Sequence, residues 1–192
     1  RHELMDSVFL WQSGTKYRVN VHDADMKEVE TVYGQTEQGL TIIEGNLFIK
    51  GQKPVEQRSS YGLGEVIIDA LNNGADNIVI SLGGIDSFDG GIGMMQALGV
   101  QFYNDEEELL DAREGAQVIK FIRRIDFSAI PQNFKDAHIK LMSDFSSKLY
   151  GKYSEIMKTY ETHQMTREKA AEIDNLIWYF SEPVSYTHLR AH

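Results

Sequence analysis

Alternation of apolar and polar residues marks the first quarter of the chain. A period of two is typical of strands with one buried face. It predicts short strands over residues 17–22, 29–33, 41–43 and 47–49. Residues 6–12 predict a short helix that ends near Gly14, and the polar stretch 50–60, which carries Pro54, predicts a loop.

In the middle of the chain, the alternating pattern gives way to short apolar runs and a glycine-rich segment. Residues 77–82 form an apolar, β-branched run typical of a buried strand, and residues 83–93 contain five glycines. The surrounding pattern predicts helices over residues 65–71 and 94–98 and a strand over 100–103. A helix, a strand, a glycine loop, a helix and a strand in this order predict an α/β fold with a mixed sheet.

Three more elements are predicted in the last third of the chain. Residues 114–124 indicate a helix, and residues 138–142 indicate a strand with Asp144 just beyond its carboxyl end. Thr166 is suited to cap a final helix. One face of that helix carries Ile173, Leu176, Ile177 and Phe180. We expect this stripe to pack in the core rather than to bind a ligand.

Composition narrows the classes of function. The 192 residues carry a net charge of −10, which argues against binding to nucleic acid or to an anionic membrane surface. The chain has no cysteine, so disulfides and thiolate metal sites are excluded, and its six histidines show no metal-binding spacing. No signal peptide or membrane-spanning run is visible, and a reducing cytoplasm is the expected compartment.

The end of the chain looks unlike the rest. Residues 183–192 have no periodicity, and their sequence matches one reading frame of a transposon-based sequencing adaptor. We therefore expect residues 1–182 to form the fold, residues 184–192 to be unpacked, and the natural protein to extend further. A natural C-terminal tail is the alternative.

The glycine loop is a candidate anion site. A glycine-rich turn before a helix presents N–H groups and allows close approach of a ligand. The candidate phosphate- or substrate-binding residues are Gly83, Gly84, Ser87, Asp89, Gly90 and Gly91. The loop lacks the lysine of a Walker A motif and the spacing of a dinucleotide fingerprint. Its two aspartates would repel phosphate unless a divalent cation intervenes, and a purely structural turn is an equally good interpretation.

Asp144 has the position of a functional carboxylate. Ligands of open α/β sheets gather beyond the carboxyl ends of the strands, where a carboxylate can accept a proton or bind Mg²⁺. We predict that Asp144 and Asp89 converge on one cleft with the backbone of the glycine loop. A capping or turn aspartate is the alternative for Asp144.

Two blocks of sequence carry a resemblance to a known family. Residues 60–65 read Ser-Tyr-Gly-Leu-Gly-Glu, and residues 83–99 retain Asp-Gly-Gly and end on Met-Met-Gln-Ala-Leu-Gly. These blocks resemble the glycerate kinases of glucarate-pathway and glyoxylate-pathway type. Weaker similarity extends over residues 1–182, about half of the family's length. The family's N-terminal Asp-Ser-Phe/Tyr-Lys and C-terminal Thr-Gly-Glu-Gly motifs have no counterpart, so an internal fragment is expected.

The resemblance implies a two-domain α/β kinase. Such an enzyme would use ATP and Mg²⁺ to phosphorylate a hydroxyl of D-glycerate or a related hydroxy acid. The aspartate that matches Asp144 is the family's candidate for the base that takes the hydroxyl proton. In phosphoryl transfer, positioning and charge neutralisation supply most of the catalysis.

Several polar positions of the family are changed in this chain. The family's Ser-Ala-Thr-Asn in the glycine loop is Ile85-Asp86-Ser87-Phe88, and its Asn-Pro after the aspartate is Ser147-Lys148. The lysine of its Gly-Pro-Gln-Lys-Gly segment is replaced by His163, which is mostly neutral at pH 7. Two hypotheses therefore stand, a hydroxy-acid kinase and a non-catalytic binding or regulatory protein on the same scaffold.

Overall fold

The computed structural model describes residues 3–143 and 148–189, with side chains over 4–143 and 148–181. The strands are β1 (Gly14–His22), β2 (Glu28–Thr36), β3 (Leu40–Glu44), β4 (Asn77–Ser81), β5 (Gln101–Tyr103), β6 (Arg124–Asp126) and β7 (His138–Met142). The α-helices are α1 (Glu3–Phe9), α2 (Tyr61–Asn72), α3 (Ile92–Ala97), α4 (Gln132–Asp136), α5 (Glu155–Thr159) and α6 (Arg167–Leu189). Short 3₁₀ helices cover Gly45–Leu47, Val55–Gln57, Ala112–Glu114 and Ala116–Phe121. The fold is α/β, as predicted.

The main sheet is mixed and has the order β1-β2-β3-β4-β7. The first three strands are antiparallel neighbours, whereas β3, β4 and β7 run parallel. Glu44 of β3 is in register with Ser81 of β4, which is in register with Met142 of β7. The carboxyl ends of these three strands therefore lie at one edge of the sheet.

Helix α2 covers one face of this sheet and builds the first core. Its residues Val66, Ile67 and Ala70 are fully buried together with Ile78 and Ile80 of β4. Burial of this stripe at the spacing i, i+1 and i+4 explains why residues 61–72 form a helix. The sheet and α2 together fix the start of the glycine loop in space.

A second core lies under the C-terminal half of the chain. Its buried members come from β5, from the 3₁₀ helices after it, and from α5 and α6, and include Phe102, Ile119, Ile156, Ile173 and Ile177. The predicted apolar stripe of α6 packs here, and Thr166 Oγ1 accepts a hydrogen bond from Lys169 N–H, as its capping role requires. Within the described residues no helix is both long and apolar enough to cross a membrane.

Two predicted elements are wrong. Residues 47–49 are not a strand, because the chain turns through the 3₁₀ helix Gly45–Leu47 and buries Phe48 and Ile49 individually. Residues 114–124 are not one helix, because Gly115 adopts a φ of 82° that ends one 3₁₀ helix before the next begins. Arg124 already belongs to strand β6. The other predicted strands and helices are confirmed to within a few residues.

The backbone of α6 continues as a helix through Leu189. The described side chains end at residue 181, so the expected lack of packing over 184–192 lies outside them and stays a prediction. The boundary between the fold and residues 183–192 is likewise a prediction.

Candidate functional site

The candidate site lies at the sheet edge where the three parallel strands end. β3 leads into Asn46, and β4 leads into Gly83 and Gly84. β7 ends at Met142, two residues before Asp144 in sequence. Asp144 itself lies outside the described residues, so its role as the base stays a prediction. The register of the strands places the carboxyl ends of β3, β4 and β7 at the same edge.

Asp89 is held by protein donors. It is 2% exposed, and its Oδ2 accepts hydrogen bonds from Ser60 N–H at 2.8 Å, Ser60 Oγ at 2.9 Å and Gly93 N–H at 3.2 Å. Its Oδ1 accepts from Gly91 N–H at 3.0 Å. Ser60 Oγ in turn accepts from Met94 N–H at 3.0 Å. This geometry gives Asp89 a structural role between the starts of α2 and α3, and its assignment as a ligand-binding group stays a prediction.

Glycines give the loop a path that other residues rarely follow. Gly84, Gly90 and Gly91 have φ values of 74°, 64° and 79°, in the left-handed region. Gly91 also precedes the first residue of α3, so its conformation sets where that helix begins. Asp86 N–H donates to Ile49 O at 3.0 Å, which ties the loop to the segment after β3.

The amides at the start of the loop differ from those near α3. Within the described residues, the N–H groups of Gly83 and Gly84 donate no hydrogen bond to the protein. Ser87 Oγ is directed inward and donates weakly to Arg58 O at 3.5 Å. The second part of the loop is therefore engaged in holding the fold, whereas the N–H groups of Gly83 and Gly84 have no acceptor among the described residues.

Apolar and aromatic side chains occupy a part of the loop that is polar in the family this chain resembles. Ile85 packs on the first core and approaches the space that a Cβ at Gly45 would take. Phe88 meets His163 edge-to-face, with ring centroids 4.9 Å apart. These contacts link the glycine loop to the segment that follows α5.

Electrostatics at this junction keep His163 neutral. Burial lowers the pKa of the imidazole below its ordinary 6.5, and the charges of Arg58 and Lys50 lower it further. The carboxylates of Asp86 and Glu155 act in the opposite direction but do not prevail. His163 is therefore a neutral group at pH 7, as the sequence indicated.

The segment after β3 carries cations that the sequence did not single out. Lys50 Nζ donates to Gly84 O at 2.6 Å, and Arg58, 8% exposed, donates through Nε to Lys53 O at 2.8 Å. Both residues lie in the predicted polar loop, where no spacing distinguishes a site residue from a solvated one. Only the fold brings Lys50 to the glycine loop.

Asp25 holds this segment in place. Its carboxylate accepts hydrogen bonds from Gln52 N–H at 2.8 Å and Lys53 N–H at 3.0 Å. Burial alone would raise the pKa of Asp25, but these two bonds and the nearby charges of Lys27 and Arg58 hold the pKa below its usual value. The ionised carboxylate thus fixes the segment that presents Lys50.

A separate open cavity of about 480 Å³ lies away from the glycine loop. Tyr61, Leu109 and Arg113 are among its lining residues, and none of the lining residues belongs to residues 83–93. Arg113 there is paired with Asp111 at 2.9 Å. The two charged lining residues, Asp111 and Arg113, pair with each other, so the cavity offers a ligand no unpaired charge despite its size.

The described residues do not by themselves form a magnesium site. No group of three or more His, Asp or Glu side chains within them is arranged to hold a metal ion. The oxygens of Asp89 already accept protein hydrogen bonds, and oxygen ligands are what Mg²⁺ requires.

Known proteins are similar to this chain in sequence and in fold. The glycerate kinase of Bacillus cereus is 30% identical over 154 residues, which is 77% of this chain and 40% of the relative. The glycerate 2-kinase of Escherichia coli is 29% identical over 136 residues, which is 68% of this chain and 35% of the relative. The chain thus spans less than half the length of these curated relatives.

A crystal structure from Salmonella typhimurium LT2, described as a putative glycerate kinase 2, superposes with a TM-score of 0.86. The match has 23% identity and covers 95% of this chain and 51% of that one, so it bears on the fold alone. The model of the glycerate kinase family matches residues 4–178, which is most of the chain. On this match, the chain belongs to the glycerate kinase family.

Proposed function

We propose that this protein phosphorylates a hydroxyl of D-glycerate or a related hydroxy acid with ATP. The observation that supports the proposal is the parallel register of β3, β4 and β7, which brings the start of the glycine loop and the carboxyl end of β7 to one edge of the sheet. The N–H groups of Gly83 and Gly84, which have no acceptor among the described residues, would suit a phosphate.

The proposed reaction assigns a role to each group, and the role of Asp144 is the one that the family resemblance implies. The glycine loop would receive a phosphate group of the nucleotide, and Asp144 would accept the proton of the attacking hydroxyl. ATP would supply the phosphoryl group. Ser87 is a less direct contributor, because its hydroxyl points toward Arg58 O.

The test compares purified wild type with Asp144→Asn in an assay of D-glycerate phosphorylation by ATP. We expect the variant to lose at least tenfold in kcat, in line with the usual contribution of a general base. Asp105→Asn, in the exposed turn after β5, is the control and should retain full activity. Equal activity in wild type and Asp144→Asn would remove Asp144 from the mechanism.

A non-catalytic binding protein is the second candidate. It is favoured by the contact between Phe88 and the neutral His163, which puts an aromatic pair where the resemblance has an amide and a lysine. Under this alternative the protein would bind ATP or the hydroxy acid without turnover. Absence of phosphorylation in wild type, together with retained binding of either ligand, would support it.

A further inference from the structure

The open cavity beside Tyr61 has walls that the protein itself holds in place. Its volume of about 480 Å³ lies in the range typical of sites for small organic ligands. The amide of Gln96 links two of the walls, because Nε2 donates to Leu110 O at 2.8 Å and Oε1 accepts from Ala112 N–H at 2.8 Å. These two bonds fix α3 to the segment 110–112, so a ligand that enters need not order these walls.

The lining of the cavity favours a neutral and flat ligand. Asp111 and Arg113 pair with each other at 2.9 Å, so the two charges of the lining compensate. The guanidinium of Arg113 lies over the ring of Tyr61, with Cζ 5.9 Å from the ring centroid, and the exposed Leu109 adds an apolar wall. Guanidinium and tyrosine planes are surfaces on which heteroaromatic rings stack. A flat uncharged ring therefore suits this cavity better than an ion does.

Two polar lining groups can bind the edge of such a ring. The carboxylate of Asp111 has about four lone-pair positions, and three donors of Arg113 engage it, namely N–H, Nε and Nη2. These bonds hold the pKa of Asp111 below its usual value, so at pH 7 this carboxylate is only an acceptor. Gln101 Oε1 accepts from Tyr103 OH at 3.0 Å, and Gln101 Nε2 donates to no acceptor in the described part of the chain. An amino group beside a ring nitrogen would satisfy both groups, because the amino group donates to Asp111 and the ring nitrogen accepts from Gln101.

We propose that this cavity binds an adenine ring, a neutral flat ring that carries an amino group beside a ring nitrogen. The cavity and the glycine loop both border the start of α2, because Tyr61 follows Ser60, whose hydroxyl donates to Asp89 at 2.9 Å. The identification of the adenine ring with the base of ATP rests on the proposed function. Binding of the ring itself rests on the shape and the polar groups of the cavity.

Isothermal titration calorimetry of the whole protein with adenosine and with inosine tests the proposal. Inosine has nearly the same shape, but an oxygen replaces the amino group, so the carboxylate of Asp111 would face a second acceptor. We expect adenosine to bind at least about tenfold more tightly than inosine, as loss of one hydrogen bond next to a buried acceptor predicts. Gln101→Met keeps the length of the side chain without its donor and should weaken adenosine binding about tenfold. Gln38→Met, in the exposed turn after β2, is the matched control and should bind adenosine as wild type does.

Any of three outcomes would overturn the site. They are absence of adenosine binding by wild type, equal binding of adenosine and inosine, and equal binding of adenosine by the two glutamine variants. The comparison of the two nucleosides uses wild-type protein and therefore remains decisive if Gln101→Met does not fold. Adenosine carries no phosphate, so its binding does not depend on kinase activity. Adenosine binding without phosphorylation of D-glycerate would support the cavity and count against the proposed reaction, whereas phosphorylation without adenosine binding would do the reverse.

Discussion

At the scale of single residues, Asp89 joins the starts of two helices. Four hydrogen bonds to its carboxylate come from Ser60, Gly91 and Gly93, and Ser60 extends the network to Met94 at the start of α3. A small, buried carboxylate is the acceptor that suits so many donors at once. The retention of Asp-Gly-Gly in the sequence therefore has a structural explanation beside the functional one.

Replacing Asp89 by alanine should destabilise the protein strongly. We expect a loss of about 3 kcal/mol or more in the free energy of unfolding, because several buried donors lose their acceptor. Asp89→Asn should lose less, because an amide oxygen can still accept the bonds made by Oδ2. Urea denaturation measures both, with the exposed Asp105→Ala as control. A loss below 1 kcal/mol in Asp89→Ala would contradict the structural role.

His163 should make stability depend on pH. Burial lowers its pKa in the folded protein below 6.5, so the unfolded chain binds more protons as the pH falls through the region just below 6.5. Stability is therefore lost on acidification. We expect the fall in the urea midpoint between pH 7.5 and 5.5 to be smaller in His163→Gln than in wild type. Thr162→Ala is the control for a local substitution, and an equal fall in all three proteins would refute the prediction.

At the scale of elements, glycines allow α2 to pack closely against its neighbours. A Cβ at Gly62 would lie 1.8 Å from His22 O, and one at Gly64 would lie 2.5 Å from Met94 O. Directly after Gly64, Glu65 accepts a hydrogen bond from His22 N–H at 2.8 Å. The block Gly-x-Gly-Glu thus fixes α2 to the end of β1 on one side and to α3 on the other.

Gly62→Ala should be destabilising although alanine favours helices. The gain in helix propensity is about 1 kcal/mol, whereas the clash with the backbone of β1 must move the helix or the strand. We expect a net loss of about 2–4 kcal/mol in thermal or urea unfolding. Asn72→Ala, on the exposed last turn of α2, should change stability by less than about 0.5 kcal/mol. A neutral Gly62→Ala variant would show that the contact can relax.

The sequence predicted the elements whose pattern is local. The alternation of β1 and β2, the buried run of β4 and the apolar stripe of α6 each report burial on one face. It did not predict Gly45–Leu47 as a 3₁₀ turn, because Phe48 and Ile49 are buried by tertiary packing rather than by a regular strand.

In the candidate site too, local features were predicted from the sequence, whereas features that depend on tertiary contacts were not. The glycine loop was visible in the sequence as a cluster of glycines before a helix, and its place at the sheet edge follows from the order of elements. Lys50 was not visible, because it reaches the loop only through its hydrogen bond to Gly84 O, more than thirty residues away in sequence. The structural role of the buried Asp89 was not visible either, because it depends on hydrogen bonds from Ser60, in a different segment.

At the scale of the whole molecule, buried hydrogen bonds connect the two hydrophobic cores. The first core lies between α2 and the main sheet, and the second lies under α5 and α6. Ser59 Oγ donates to Ala112 O at 3.1 Å, and Ser60 binds Asp89, so buried hydrogen bonds connect the start of α2 to both halves. The glycine loop takes part in these hydrogen bonds through Asp89, so its residues contribute both to packing and to the candidate site.

Strand β7 is the outer strand of the main sheet in the described part of the chain. Leu141 is 61% exposed and Met142 is 46% exposed there. Exposed apolar side chains on an edge strand favour pairing with other chains. We therefore expect the protein to self-associate through β7 at high concentration.

Leu141→Lys should reduce this self-association without loss of stability. The substitution places a charge on the edge strand, where a neighbouring strand would have to bury it, and it removes little from the core because Leu141 is mostly exposed. Static light scattering over a range of concentrations measures the effect. Asn72→Lys is the matched control, because it changes the net charge by the same amount on an exposed turn of α2. If the two variants scatter alike, net charge rather than the β7 edge governs association, and if neither differs from wild type, the edge is not a contact surface.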